Sequence, residues 1–241
     1  MRSFLLIASA LAVAACSANA RRGGDEGSSG EQARRNFEVG RFQSVSLEGA
    51  ADVVVAVGGP ASVRAESDSR AVERLEIRVE NGALKIGTRR DGMFSWGHHG
   101  RATVYVTAPA LDGASIGGSG DMRIDRIQTA NFNGSVAGSG DMEIATLQAR
   151  QAHFDLAGSG GITAAGRAEA LNVSIAGSGN VMLDALEARR AAVSIAGSGD
   201  VSLRATEAVQ GSILGSGDIV VHGTARCSIS KLGSGDVRCG G

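Results

Sequence analysis

The sequence predicts an all-β protein folded as a single-domain parallel β-helix, a β-solenoid whose repeats are 18–20 residues long. Three observations lead there. The tripeptide Gly-Ser-Gly recurs seven times at nearly constant spacing, apolar and polar residues alternate on both sides of each copy, and the chain is rich in glycine yet almost free of proline.

Composition removes several alternatives. The 36 glycines follow no three-residue period and come with only 2 prolines, so the chain is not collagen-like, and its 43% hydrophobic content is that of a globular protein. Lysine and arginine total 24 against 25 acidic residues, a net charge of -1. Such a balance produces no long-range field to attract nucleic acid or an anionic membrane, and nucleic acid is not expected as a partner.

The first 20 residues read as a signal peptide, with Arg2 followed by a small and apolar run over residues 4–15 that is too short to span a bilayer. Two cleavage sites compete. Val13-Ala14-Ala15-Cys16 resembles a bacterial lipobox, which makes Cys16 the candidate lipidation site and an outer-membrane anchor the expectation. Ala18-Asn19-Ala20 fits ordinary cleavage before Arg21. Residues 21–36 carry no large apolar side chain and are expected to form a flexible tether. The fold is expected to start at Phe37, with residues 37–110 as N-terminal β coils or a β cap and residues 111–241 as the repeat array.

The corners of the array are Gly118 and Gly120, Gly138 and Gly140, Gly158 and Gly160, Gly177 and Gly179, Gly197 and Gly199, Gly215 and Gly217, and Gly233 and Gly235. Before each corner one column reads Ile116, Val136, Leu156, Ile175, Ile195, Ile213 and Lys231. After it, Met122, Met142, Ile162, Val181, Val201, Ile219 and Val237 form a second, and Ile124, Ile144, Ala164, Leu183, Leu203, Val221 and Cys239 a third. Period-two alternation makes each repeat two short strands around a glycine corner. A unit this small cannot bury its own apolar side, but stacked units do, at a coil spacing of about 4.8 Å. Right-handed coiling is the expectation.

Residues 37–110 show strand alternation without the tripeptide. Asn81-Gly82, between LEIRVE and ALKIG, marks a hairpin turn. Irregular first coils are favoured over a separate cap.

The opening VSLEGAADVVVAVGG, the RVENGALKIGT hairpin, the VYVTAPAL segment running into IGGSGD, and the serial GSGD corners together resemble the head GIN domain family of auto-transporter adhesins, over residues 37–241. That resemblance implies a β-helical surface or periplasmic domain of a Gram-negative bacterium. It brings no catalytic residues.

Several groups are candidates for chemistry. Asp121, Asp141, Gly161, Asn180, Asp200, Asp218 and Asp236 follow the corners. The consecutive Asp200, Asp218 and Asp236 form the best divalent-ion candidate, but turn chemistry explains the column better. One acid per 18–20 residues cannot enclose an ion as paired β-roll loops do, and exposed carboxylates about 5 Å apart repel by only about 0.8 kcal/mol. Cys227 and Cys239 are expected to form a structural disulfide in an oxidising compartment. Lys231, in an otherwise aliphatic column, fits a charge that protects an open sheet edge, unless the alignment slips there. Phe94, Trp96, His98 and His99 cluster between glycines as a candidate contact loop, with packing on the core as the plainer role. The histidines are too scattered for a metal site, and no nucleotide or hydrolase motif is present, so no cofactor is expected.

The leading expectation is a non-enzymatic cell-envelope module that presents repetitive faces to a protein or glycan partner, or to a second copy of itself. A polysaccharide-active β-helix enzyme and a purely structural envelope protein are the alternatives. The enzyme would require two close carboxylates in one groove.

Overall fold

The computed structural model describes residues 32–89 and 101–240. Its strands are, in chain order, β1 (Gln32–Phe37), β2 (Ser44–Gly49), β3 (Asp52–Val57), β4 (Ser62–Asp68), β5 (Leu75–Glu80), β6 (Ala83–Thr88), β7 (Thr103–Ala108), β8 (Gly113–Gly118) and β9 (Met122–Ile124). The array continues with β10 (Ile127–Gly138), β11 (Asp141–Gly158), β12 (Gly161–Gly177), β13 (Asn180–Gly197), β14 (Val201–Gly215), β15 (Ile219–His222), β16 (Arg226–Gly233) and β17 (Val237–Cys239). One short helix, α1 (Ser69–Glu73), joins β4 to β5.

From β8 onward every pairing is parallel, and each corner lies in register on the previous one: Gly118, Gly138, Gly158, Gly177, Gly197, Gly215 and Gly233 form one line. The fold is the expected parallel β-solenoid. The repeat differs from two short strands, because β11 to β14 each run 15–18 residues as bent strands. A third segment, with buried Ile127, Leu147 and Leu186, closes the coil. Register shifts at this far bend absorb the unequal repeat lengths, between Ile144 and Leu147 and between Leu183 and Glu187.

Two different constraints put glycine at the corners. The first glycine of each tripeptide has φ between 131° and 140°, a region that L side chains avoid. The second has no such φ, but on either glycine an added Cβ would come within 3.0 Å of a carbonyl oxygen of the preceding coil. That close approach makes the hydrogen bonds. The Gly118 carbonyl accepts from the Ser139 amide at 2.9 Å and the Gly140 amide at 3.2 Å, and the Gly138 carbonyl does the same for Ser159 and Gly160.

The N-terminal region supplies true coils, stacked out of chain order. Strand β2 lies between β6 and β8, and β3 between β7 and β9, all parallel. The chain therefore builds the second coil first, then the terminal one from β6 and β7, and then steps over the second to begin β8. Gly49-Ala50-Ala51-Asp52 is an eighth corner, in register with Gly118, and Gly49 has φ 132°. An added Cβ on Gly49 would meet only the Thr88 hydroxyl, at 3.6 Å, so this corner lacks the backbone crowding of the later ones. Strands β4 and β5 add antiparallel pairings, β4 to β7 and β5 to β6. Asn81 and Gly82 have φ 50° and 78°, as a two-residue hairpin turn requires.

Residues 32–36, expected in the tether, instead form most of β1, antiparallel to β4. An edge strand needs backbone partners more than apolar side chains. Here Arg34 pairs with Glu66 at 2.6 Å, and the Arg35 guanidinium lies 4.7 Å from the Phe37 ring centroid.

The interior is a continuous set of aliphatic columns. Its one aromatic pair, Phe132 and Phe154, meets edge to face at 5.9 Å. Gly134 vacates the space that Phe154 fills, since a Cβ there would meet the Phe154 ring at 2.8 Å.

Gly197→Ala and Gly199→Ala should each cost about 3 kcal/mol or more in urea unfolding, from strained φ and displaced backbone. Ala51→Gly should cost only about 0.5–1 kcal/mol. Equal effects at the three positions would contradict the stacking geometry.

Candidate functional site

The residue after each corner builds a hydrogen-bond ladder. The Asp121 carboxylate accepts from the Asp141 amide at 3.1 Å, Asn180 Oδ1 from Asp200 at 3.2 Å, Asp200 from Asp218 at 2.9 Å, and Asp218 from Asp236 at 2.7 Å. Asp52 begins the column by accepting from the Asp121 amide at 3.3 Å. At Gly161 the side chain is missing, and the Asn180 amide bonds the Gly160 carbonyl instead at 3.2 Å. The Asp200 and Asp218 carboxylates thus each accept a backbone amide, and among the described residues no group of three or more His, Cys, Asp or Glu is placed to hold a metal.

In the last coil, Cys227 and Cys239 are joined as a disulfide, with Cα atoms 6.4 Å apart. They occupy inward columns, aligned with Val209 and Val221, yet Cys239, at the end of the described stack, is exposed. Lys231 aligns with Ile213, so the register does not slip, and it too is exposed at the open end. Cys16, Phe94, Trp96, His98 and His99 lie outside the described residues.

One cluster resembles a catalytic set by residue type. Ser202 donates to Asp184 Oδ1, and His222 Nε2 lies 3.4 Å from Ser202 Oγ and 3.1 Å from the same Asp184 oxygen. A relay needs the acid on one ring nitrogen and the hydroxyl on the other. Here one nitrogen faces both, and the hydroxyl is spent on the carboxylate.

The outward faces differ sharply in charge. On the second side of the coils, Arg123 bonds Glu143 at 3.3 Å. At the far bend, Arg189 holds Glu207 through two nitrogens at 2.8 and 2.5 Å, and that hydrogen-bonded carboxylate raises the Arg189 pKa above its ordinary value.

The first side, formed by β8, β16 and the C-terminal parts of β10 to β14, has among the described residues no lysine or arginine in its three outward columns; exposed Arg190 and Arg226 stand beyond one flank. Its central column is Ser46, Ser115, Ser135, Asp155, Ser174, Ser194, Ser212 and Ser230, in register. Ala137, Ala157, Ala176 and Ala196 flank it on the corner side, ending in exposed Leu214 and Leu232. On the other flank stand Asn133, His153, Asn172, Ala192, Gln210 and Ser228. His153 and Asp155 form a pair on this side, with Nε2 and Oδ2 2.9 Å apart.

At the short side chain of Ala192 this face dips into a shallow depression of about 370 Å³, lined by His153, Asn172, Ser174, Ser194 and Gln210. The serine column was visible in the sequence, three residues before each corner glycine except at Asp155, but small polar residues at outward positions stand out only once the coils are stacked.

The family model described as "Putative auto-transporter adhesin, head GIN domain" matches residues 41–225. The chain belongs to this family. Among solved structures, a "putative adhesin" from Bacteroides fragilis NCTC 9343 superposes with a TM-score of 0.82 at 22% identity, over 87% of this chain and 97% of that one. A "putative lipid binding protein" from Parabacteroides distasonis ATCC 8503 gives 0.69 at 23% identity, over 88% and 97%. A "putative adhesin" from Parabacteroides merdae ATCC 43184 gives 0.71 at 18%, over 88% and 97%. At these identities they share the fold. No curated protein sequence matches this chain. The last coil, with its disulfide, lies beyond the residues matched by the family model.

Asp200→Asn should leave stability unchanged, as Asn180 does the same work, while Asp200→Ala should cost about 1 kcal/mol by leaving the Asp218 amide without its acceptor. Calcium at millimolar concentration should not shift Tm; a clear rise would assign the column to ion binding. Replacing both Cys227 and Cys239 by serine should cost up to about 3 kcal/mol and speed amide exchange in β16 and β17, leaving β11 to β13 protected.

Proposed function

We propose that this protein is a non-enzymatic recognition module of the bacterial cell envelope, exported and held at the outer membrane by a lipid on Cys16. It attaches to its partner by multivalent contact along the first side of the solenoid. The observation that carries this reading is the serine-centred outward face, in which equivalent side chains repeat from coil to coil. Such a surface offers the same weak contact many times over, so avidity replaces a single tight pocket. Membership of the adhesin family and the adhesin descriptions of structural neighbours support attachment as the role. The Val13-Ala14-Ala15-Cys16 tetrad supports the anchor.

Beads coated with the protein should be retained on partner cell surfaces. Replacing Ser194 and Ser212 together by lysine should lower retention about tenfold, because two unpaired cations would have to be desolvated in the contact. Retention unchanged by this pair would contradict the first side as the attachment surface. Cys16→Ser should move the protein from the membrane fraction to the soluble one, and an unchanged distribution would support cleavage after Ala20.

A further inference from the structure

We infer that the partner of the first side is an uncharged polysaccharide, seated in the depression beside Ala192 and running across the coils. This rests on the reading of that side as a recognition face. Charge comes first. The chain is 20% charged, yet among the described residues the three columns of this side from β8 to β14 hold only His153 and Asp155 as groups able to carry charge, and these are bonded to each other. Arg190 and Arg226 stand in register one outward position beyond the Asn133-to-Ser228 flank. An acidic glycan or phosphate-bearing polymer seated along these three columns would find no cation within them to offset its desolvation.

Hydrogen-bonding capacity comes second. Among the described residues, no protein group bonds the side chains of Asn172, Ser174, Ser194 or Gln210. Each both donates and accepts, as sugar hydroxyls do. Serine hydroxyls on successive coils repeat about every 4.8 Å, so an extended chain of sugars can meet one on each coil. The alanine strip alongside offers an apolar shelf to the carbon face of the sugar rings, and the open dip lets a polymer pass through without ending there.

A protein partner fits less well. Protein interfaces draw their energy from buried aromatic and arginine anchors, and among the described residues the three columns of this face hold neither.

The test is calorimetric titration of the full processed chain with hexasaccharides of β-glucan, xylan, mannan and galactan, and with oligogalacturonate as the acidic counterpart. At least one neutral probe should bind in preference to oligogalacturonate. Asn172→Ala combined with Gln210→Ala should weaken it about tenfold, the loss of one or two net hydrogen bonds. Thr163→Lys, on the second side, should leave it unchanged. Circular dichroism and thermal melting would confirm that these outward substitutions leave the fold intact.

Binding of none of the four neutral probes, a preference for the acidic one, or indifference to the Asn172 and Gln210 pair would overturn the assignment. If the lysine pair at Ser194 and Ser212 abolishes bead retention while no neutral sugar binds, the recognition face stands and its ligand is a protein or a second copy. Sedimentation velocity separates those two. If retention ignores the lysine pair as well, both readings fall.

Discussion

Each corner carbonyl from Gly49 to Gly215 accepts a hydrogen bond from the serine amide of the next coil, and those of Gly49, Gly118, Gly138 and Gly158 accept a second from the glycine amide after it, which is possible only because no Cβ stands between them. The Gly118 oxygen serves Ser139 and Gly140, and the Gly177 and Gly197 oxygens receive Ser198 and Ser216 at 2.9 Å. The side-chain columns follow from this contact. Once corners superpose, residue i of one coil lies over its equivalent in the next, so aliphatic residues form the interior and the Asp ladder forms on the outside. Glycine weakens ordinary strands through its unfolded-state freedom. Here that cost is offset by backbone contacts that other residues cannot make.

The same constraint explains where the pattern relaxes. Ala51 stands in place of the second corner glycine at a corner where a Cβ on Gly49 would meet only the Thr88 hydroxyl, at 3.6 Å. Gly161 interrupts the Asp ladder without breaking the solenoid, because the Gly160 carbonyl takes the orphaned amide. At the other end of the described stack lie β16 and β17. The columns terminate there in Cys227, Lys231 and Cys239, a bridge and a cation where further aliphatic residues would have left an apolar edge open to pairing.

The interior columns, the corners, the Asn81-Gly82 hairpin and the partnership of Cys227 with Cys239 were legible as sequence patterns, since each depends on local spacing or on a repeat aligned to itself. The insertion of β2 and β3 between later strands was not. Gly49-Ala50-Ala51-Asp52 keeps one glycine of the tripeptide, and nothing local shows that β6 must stack on a strand 39 residues earlier in register. Strand β1 was hidden for another reason: its Arg-rich sequence has the composition of a tether, and its order comes from pairing to β4. The candidate face lay in between, because Ser174, Ser194 and Ser212 were plainly periodic while Asn172, Ala192 and Gln210 became a shared rim only in three dimensions.

The account stands on carbonyl-to-amide contacts between specific corners, and scalar couplings across hydrogen bonds in isotopically labelled protein would detect them one by one. The Gly49 carbonyl should couple to the Ser119 amide, and those of Gly118, Gly138 and Gly158 to the amides of Ser139, Ser159 and Ser178. Rapid solvent exchange of these serine amides, or coupling of Gly49 to a corner other than that at Ser119, would contradict both the stacked corners and the out-of-order second coil.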